Sequence, residues 1–440
     1  MTFNNWEKAL LKDVMIFNPR ESIKKGTMAK KIGMSRLNEF NRTIDGYEVT
    51  EFKSGTKFRN GDTLLARITP CLENGKTAQV SVLDDGEVGF GSTEFIVLRE
   101  KEGLTDKDFI YYLAISDNLR QVAIKSMTGT TGRQRAQKDV LENTSISLPS
   151  LQEQKAIANV LSTLDEKIEV NNQINETLEN MAQALFKQWF VDFEFPNENG
   201  EPYKSSGGEM VESEIGLIPE TWEIGNLSKF VDNIIGGDWG KNTPQKNYKE
   251  KVYCIRGADI NELNKGNSGK VPIRFILEKN LNKKELQDGN LIVEISGGSP
   301  TQSTGRIGYV SKELLDRFDA PVVCTNFCRS IKLRNDIYQE FFYYFWKFLY
   351  DQKIFFNFEN GTTGIKNLDL SSLLNNYNVV IPELHYIKKF SFIAKEINKN
   401  IKVTGLQNKK LREIRDTLLP KLMSGEIRVP LDELEESMTQ

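Results

Sequence analysis

Between Pro149 and Phe195 apolar residues recur every three to four positions, at Ile157, Leu161, Leu164, Ile168, Ile174, Leu178, Met181 and Leu185. The same spacing returns after Pro382, at Phe390, Ala394, Ile397, Ile401, Leu411, Ile414 and Leu418. That period predicts two long amphipathic helices. The first, counted from Ile157 to Trp189, has 33 residues and, at 1.5 Å per residue, a length of roughly 50 Å. Ahead of each helix the pattern differs. Leu64-Leu65, Ala78 to Val82, Glu94 to Leu98, Leu291 to Ile295 and Val322-Val323 are short apolar or β-branched runs bounded by Gly, Asn and Asp, which predicts strands. Each helix therefore follows a mixed, sheet-containing globule.

The globule-plus-helix order occurs twice, and individual residues repeat with it. Trp6-Glu7-x3-Leu11 returns as Trp222-Glu223-x3-Leu227, 216 residues on, and Asn38-Glu39 as Asn261-Glu262 at 223. Gly75-Lys76-x3-Val80 matches Gly305-Arg306-x3-Val310 at 230, and Ile96-x-Leu98-Arg99 matches Ile331-x-Leu333-Arg334 at 235. Phe109-x-Tyr111-Tyr112 and Gly129-Thr130-Thr131-Gly132 return at 232 as Phe341-x-Tyr343-Tyr344 and Gly361-Thr362-Thr363-Gly364, and Pro149-x-Leu151 at 233 as Pro382-x-Leu384. Rising offsets place loop insertions in the second copy.

A helix this long cannot bury its apolar stripe on a small domain alone, so the two are expected to pair with each other. Their charges agree: residues 151–195 hold three basic and eight acidic side chains, and 383–430 hold eleven and five. Asn171 and Asn175 fall on or beside the first stripe, with Asn408 matching Asn175 in the second, where amides fix register or face water. Gly405 and Pro420 predict an interruption near 405 and an end or kink by 420. The aromatics of Leu185 to Phe193 occupy more than one helix face and need a second covering surface, either the adjoining globule or a partner. Two like globules on antiparallel helices form a pseudo-twofold arrangement suited to double-stranded DNA with two half-sites.

Composition narrows the chemistry. The 440 residues have a formal net charge of −3, and their length predicts at least two domains. No run approaches the ~20 apolar residues of a membrane span, and the opening MTFNNWEKALLKDV lacks a basic stretch followed by an apolar one, so a soluble, cytoplasmic protein is expected. The single histidine, His385, suits a surface or capping role better than catalysis. The four cysteines, Cys71, Cys254, Cys324 and Cys328, lack zinc-ligand spacing and read as buried or incidental thiols. Gly266-Asn267-Ser268-Gly269-Lys270 has the wrong spacing for a phosphate loop, Gly89-Phe90-Gly91 reads as a bend between strands, and neither Pro-Pro nor Pro-Asp occurs. No catalytic residue, metal site or cofactor is expected.

The globules are nearly charge-balanced, with 22 basic and 20 acidic residues in 1–150 and 22 and 24 in 196–382, so a DNA-facing surface must come from local clustering. Candidates are Arg67, Lys76, Arg133, Arg135 and Lys138 in the first copy and Ser299, Gln302, Ser303, Thr304, Arg306 and Lys366 in the second. Arg and Lys suit phosphates and guanine edges, and Gln suits adenine.

GLIPETWEIGNL (216–227), LPSLQEQKAIANVLSTLDEKI (148–168), LFKQWFVDFEF (185–195) and LREIRDTLLPKLMSGEI (411–427) together resemble the specificity (S) subunits of type I restriction–modification systems. The resemblance implies an α+β, internally duplicated chain: target recognition domains at 1–150 and 196–382, helical spacers at 151–195 and 383–430, and an acidic tail at 431–440. It implies that each recognition domain reads half of a bipartite DNA sequence and that the spacer sets the gap. It further implies a chain not catalytic by itself, with methyltransferase subunits, two in number, supplying S-adenosylmethionine-dependent adenine chemistry and restriction subunits supplying ATP-driven cleavage. Phe186, Trp189, Phe190 and Phe193 are then candidates for the partner interface. The chain departs from the family where His385-Tyr386-Ile387 replaces the Gln-Glu-Gln that follows Pro149. The alternative is a stand-alone DNA-binding regulator or inhibitor that dimerises through its helices.

Overall fold

The computed structural model describes residues 6–130, 132–267, 269–299, 301–361 and 365–430. The chain forms two compact units: one runs to Glu169 and takes in residues from Lys410 onward, and the other is Val170–Lys409. Each unit thus contains one globule with part of each long helix.

The same strand arrangement builds both globules. In the first unit an antiparallel sheet runs in the order Met15–Phe17, Phe95–Glu100, Thr63–Ala66, Thr77–Gln79. In the second the order is Val231–Gly236, Cys328–Leu333, Leu291–Glu294, Ile307–Tyr309. A further sheet places Met28–Ile32 between Glu48–Glu51 and a parallel neighbour, Gly89–Gly91, to which Thr56–Phe58 also pairs. Its counterpart places Tyr248–Ile255 between Ile273–Leu277 and a parallel Val322–Cys324. Glu7–Leu10 pairs with Ser145–Leu148 as Glu223–Asn226 pairs with Asn378–Ile381, joining the start of each globule to its end.

Gly89-Phe90-Gly91 is therefore an interior strand rather than a bend, with Phe90 buried. Gly91 leaves room for the Ile32 carbonyl, and Gly89 for the side chains of Leu83 and Phe58.

Strand pairing also corrects one repeat offset. Asp62 and Asn290 occupy the same place: each accepts from the backbone N–H three residues earlier, and the carbonyl of each accepts from Val80 or Val310. The next residues, Thr63 and Leu291, face Leu98 and Ile331. Leu98 therefore corresponds to Ile331 at 233, not to Leu333 at 235. A slip of two residues preserves the inward-outward alternation of a strand, so the apolar pattern could not expose it.

The long helices span Leu151–Phe190 and Leu384–Ser424. They pair antiparallel inside each unit. In the first, the buried Asp165 accepts from Arg415 at 2.6 Å and from the Tyr112 hydroxyl at 2.7 Å. In the second, the Asn171 amide donates to Asn408 at 2.8 Å, and the Tyr344 hydroxyl donates to Asn398 at 2.9 Å. Asn171, Asn175 and Asn408 are buried, as seam positions require.

The second helix is not interrupted at Gly405. A Cβ there would lie 2.3 Å from the Gly266 carbonyl oxygen, so the missing side chain admits a loop of the second globule onto the helix. Packing against that loop offsets the intrinsic cost of a helical glycine. Pro420 also lies inside the helix, on an exposed face one turn from its end, where few backbone bonds remain to be lost.

Lys402 is buried at this junction, and its ammonium donates to the Leu263 carbonyl at 2.9 Å. Burial, reinforced by Arg317, pushes its pKa down to about 8. The folded state holds this proton less tightly than the unfolded chain, so the destabilisation is complete below pH 8 and is relieved as pH rises toward the ordinary lysine value. Lys402→Met is expected to stabilise the second unit by about 1–3 kcal/mol at pH 7 and to remove the alkaline rise, a change chemical denaturation at pH 7 and 9.5 would register.

The departure at 385–387 has a packing cause. In the first unit Glu153 accepts from the Trp6 indole at 3.0 Å and from Arg428 at 2.8 Å, while the Gln154 amide donates to the carbonyls of Leu104 and Pro149. At the matching positions Tyr386 lies 4.2 Å from the Phe195 ring centroid and 6.2 Å from that of Trp222, and Ile387 is buried. Aromatic packing replaces a polar network. His385 is exposed.

Phe186, Trp189 and Phe190 lie within this aromatic core, at 1, 8 and 7% exposure. Phe190 packs 4.9 Å from Phe341 and 5.4 Å from Phe390, and the partly buried Phe193 lies 5.6 Å from Trp222. The adjoining globule thus covers the surplus aromatic face, which departs from the expectation of an accessible partner patch. No described helix is long and apolar enough to cross a membrane.

Candidate nucleic-acid interface

Three segments meet at one edge of the first globule. The backbone of Arg67, just after Thr63–Ala66, donates to the Glu94 carbonyl at 3.0 Å and accepts from the Ala136 N–H at 2.8 Å. It lies between the turn Ser92–Glu94 and the returning chain Arg133–Ala136. The second globule repeats this: the Ile295 N–H donates to Phe327 at 2.8 Å, and its carbonyl accepts from Leu368 at 2.9 Å. The glycines at 129 and 361 open the third segment with φ of +126° and +144°, a conformation that favours glycine. Thr131 and residues 362–364 of the two Gly-Thr-Thr-Gly motifs lie outside the described residues, as do Pro300, Ser268 and the tail 431–440.

This edge gathers most of the candidates but leaves few side chains open. Arg135 grips Glu94 with contacts of 2.6 and 3.0 Å, and Arg306 grips Glu294 with 2.5 and 2.8 Å. Each carboxylate raises the guanidinium pKa, fixing the positive charge. Lys366 pairs with Glu359 at 2.8 Å, and Lys138 pairs with Glu142 one helical turn away. Arg67 donates to the Ala136 carbonyl at 3.1 Å, and Lys76 to that of Met34 at 3.1 Å. Ser303 and Thr304 are buried, the latter bonded to Glu359, while Ser299 Oγ accepts from the N–H groups of Thr301 and Gln302 and shapes its loop. Arg133 and Gln302 are exposed.

Sequence reasoning missed two exposed apolar residues at this edge, Phe327 and Ile365, at 56 and 60% exposure. It also missed Trp239, stacked 3.9 Å above the Arg274 guanidinium. Searching for charge could not find Phe327 or Ile365. Aligning the copies at 233 and 232 does, because these residues occupy the places of Glu94 and Arg133.

Burial pushes the Cys254 and Cys328 thiols up to about 12 and about 11, which keeps both protonated at neutral pH. Among the described residues no three His, Cys, Asp or Glu side chains gather as a metal site. The edge offers hydrogen-bond donors, ion-paired guanidinium groups and exposed apolar rims, all features of recognition surfaces.

Comparison with known proteins agrees with the duplication. The family described as type I restriction modification DNA specificity domain matches residues 4–180 and 219–415. The chain is 26% identical over 424 residues to the type I restriction enzyme HindI specificity subunit of Haemophilus influenzae, covering 84% of this chain and 87% of that one. It is 25% identical over 351 residues to the MjaVIII specificity subunit of Methanocaldococcus jannaschii, covering 78% and 76%. The crystal structure of a type I S subunit from M. genitalium superimposes with a TM-score of 0.52 at 16% identity, over 96% of this chain and 97% of that one, and so shares the fold. With both copies of the domain matched and the duplicated architecture in place, this chain belongs to the type I restriction–modification DNA specificity subunits.

Proposed function

We propose that each globule reads one half of a bipartite DNA sequence through its three-segment edge, and that the paired helices set the unspecified gap between the halves. The observation supporting this most directly is the repetition of that edge with different side chains: Glu94, Arg133 and Arg135 in one unit, Phe327, Ile365 and Asn367 in the other. Equivalent scaffolds with unlike side chains suit unlike half-sites. The chain performs no chemistry itself and directs partner methyltransferase and restriction subunits to the site. Methyltransferase docking uses exposed apolar helix positions such as Met181, Phe392 and Val403, at 57, 73 and 42% exposure.

Methylome sequencing of a host with and without this chain tests the reading. The expected result is a split motif with a fixed gap and two non-palindromic blocks, of which exchange of residues 1–150 changes one. Removing one heptad from each helix, 171–177 with 403–409, shortens the pair by ~10 Å and should change the gap by about three base pairs or abolish modification. A contiguous motif, or a deletion that alters base preference while keeping the gap, would count against the proposal.

A further inference from the structure

Phe327 tips the turn between Val322–Cys324 and Cys328–Leu333. The backbone of this turn is held on three sides: Thr325 N–H donates to Ile255 at 2.9 Å, Cys328 N–H donates to Thr325 at 2.9 Å, and the Phe327 carbonyl accepts from Ile295. The ring is left 56% exposed by a backbone with little freedom to withdraw it. Ile365, 60% exposed, lies across the Ile295 segment in the returning chain, where Leu368 donates to the Ile295 carbonyl. Two water-exposed apolar side chains on a fixed scaffold indicate a partner.

The rim identifies its chemistry. Gln302 is exposed in the neighbouring loop, Arg329, two residues beyond Phe327, donates to the carbonyls of Asn326 and Cys328, and Lys366, beside Ile365, is paired with Glu359. In the first unit the same backbone positions carry Glu94, held by Arg135, and the exposed Arg133. Apolar side chains beside an exposed glutamine amide match the major-groove edge of an A·T pair, where the thymine C5-methyl stands beside groups that an amide can bond.

We propose that Phe327 and Ile365 contact thymine methyl groups in the half-site read by the second domain, and that the first domain, charged at both positions, makes no such contact there. This rests on the DNA-reading role proposed above.

The test uses the full chain in complex with its methyltransferase partner and duplexes carrying the target defined by the methylome. Replacing a contacted thymine by deoxyuridine removes only the methyl group and is expected to weaken wild-type binding about four-fold. Phe327→Ala or Ile365→Ala should bind the thymine duplex less tightly and lose the thymine–uracil difference at one position each. Phe327→Leu, which keeps an apolar side chain, should retain the difference, and both residues are exposed enough to leave the thermal melt unchanged. The proposal falls if every thymine of that block tolerates deoxyuridine, if the block contains no A·T pair, or if the alanine variants keep the wild-type difference. It also falls if those variants lose methyltransferase subunits while still distinguishing the bases, which would make the patch a protein contact. Absence of any sequence-specific binding by the wild-type complex would instead remove the DNA-reading role on which it rests.

Discussion

Replacing Trp189 and Phe190 together by alanine is expected to collapse the thermal melt of the second unit. Each ring is more than nine-tenths buried, and together they contact Phe186, Trp222, Phe341 and Phe390. Truncating a buried Phe or Trp costs ~3–5 kcal/mol, and even with incomplete additivity the pair removes ~5 kcal/mol or more. That approaches the whole stability of an ordinary domain. Hydrogen exchange measured segment by segment should show protection lost across 190–400 and kept in the first unit. An unchanged melt accompanied by loss of methyltransferase from the purified complex would return these rings to a partner interface.

Asp165→Ala should have a comparable effect on the first unit. Asp165 and Arg415 have side chains only 5% exposed, and the carboxylate also accepts from Tyr112. Removing it leaves a buried guanidinium with the exposed Asp416 as its remaining ion-pair partner among the described residues and costs ~3–5 kcal/mol. The second unit shows an alternative without a buried Asp–Arg pair: Asn398 stands at the place of Asp165 and accepts from Tyr344, whose hydroxyl also reaches Glu179 at 3.3 Å, and Ala182 stands at the place of Arg415. Asp165→Leu with Arg415→Met should therefore recover much of the loss, since apolar replacements of similar volume remove the stranded charge. Denaturant unfolding followed by exchange in 1–165 measures this, and a double variant as weak as Asp165→Ala would show that the pair adds net stability.

Much of the fold was legible in the sequence because helix and strand periods survive substitution. The two helices and the duplicated strands follow from spacing, whereas spacing left Asn171 open between the seam and water and the structure buries it. Gly405 was misread because propensity records the cost of glycine in a helix but not the Gly266 backbone that needs its missing side chain. The site was less legible. Arg135, Arg306 and Lys366 look like free cations in sequence, and only the fold brings Glu94, Glu294 and Glu359 to them across separations of 41, 12 and 7 residues. Phe327 and Ile365 carry no charge to draw notice in the sequence, and strand register alone sets them on the places of Glu94 and Arg133.

The division of both long helices between the units also bears on synthesis. Asp165 meets Arg415 across 250 residues of chain, so the first globule leaves the ribosome long before the helix that completes its seam. Until then the carboxylate has the Tyr112 hydroxyl but no cation, and Leu419, Leu422 and Met423 are missing from the core of the unit translated first. A product cut short before Lys410 retains every residue of the first recognition edge but lacks the cation that settles its buried acid. Chains ending there are expected to carry a less stable first unit and to be cleaved faster by proteases.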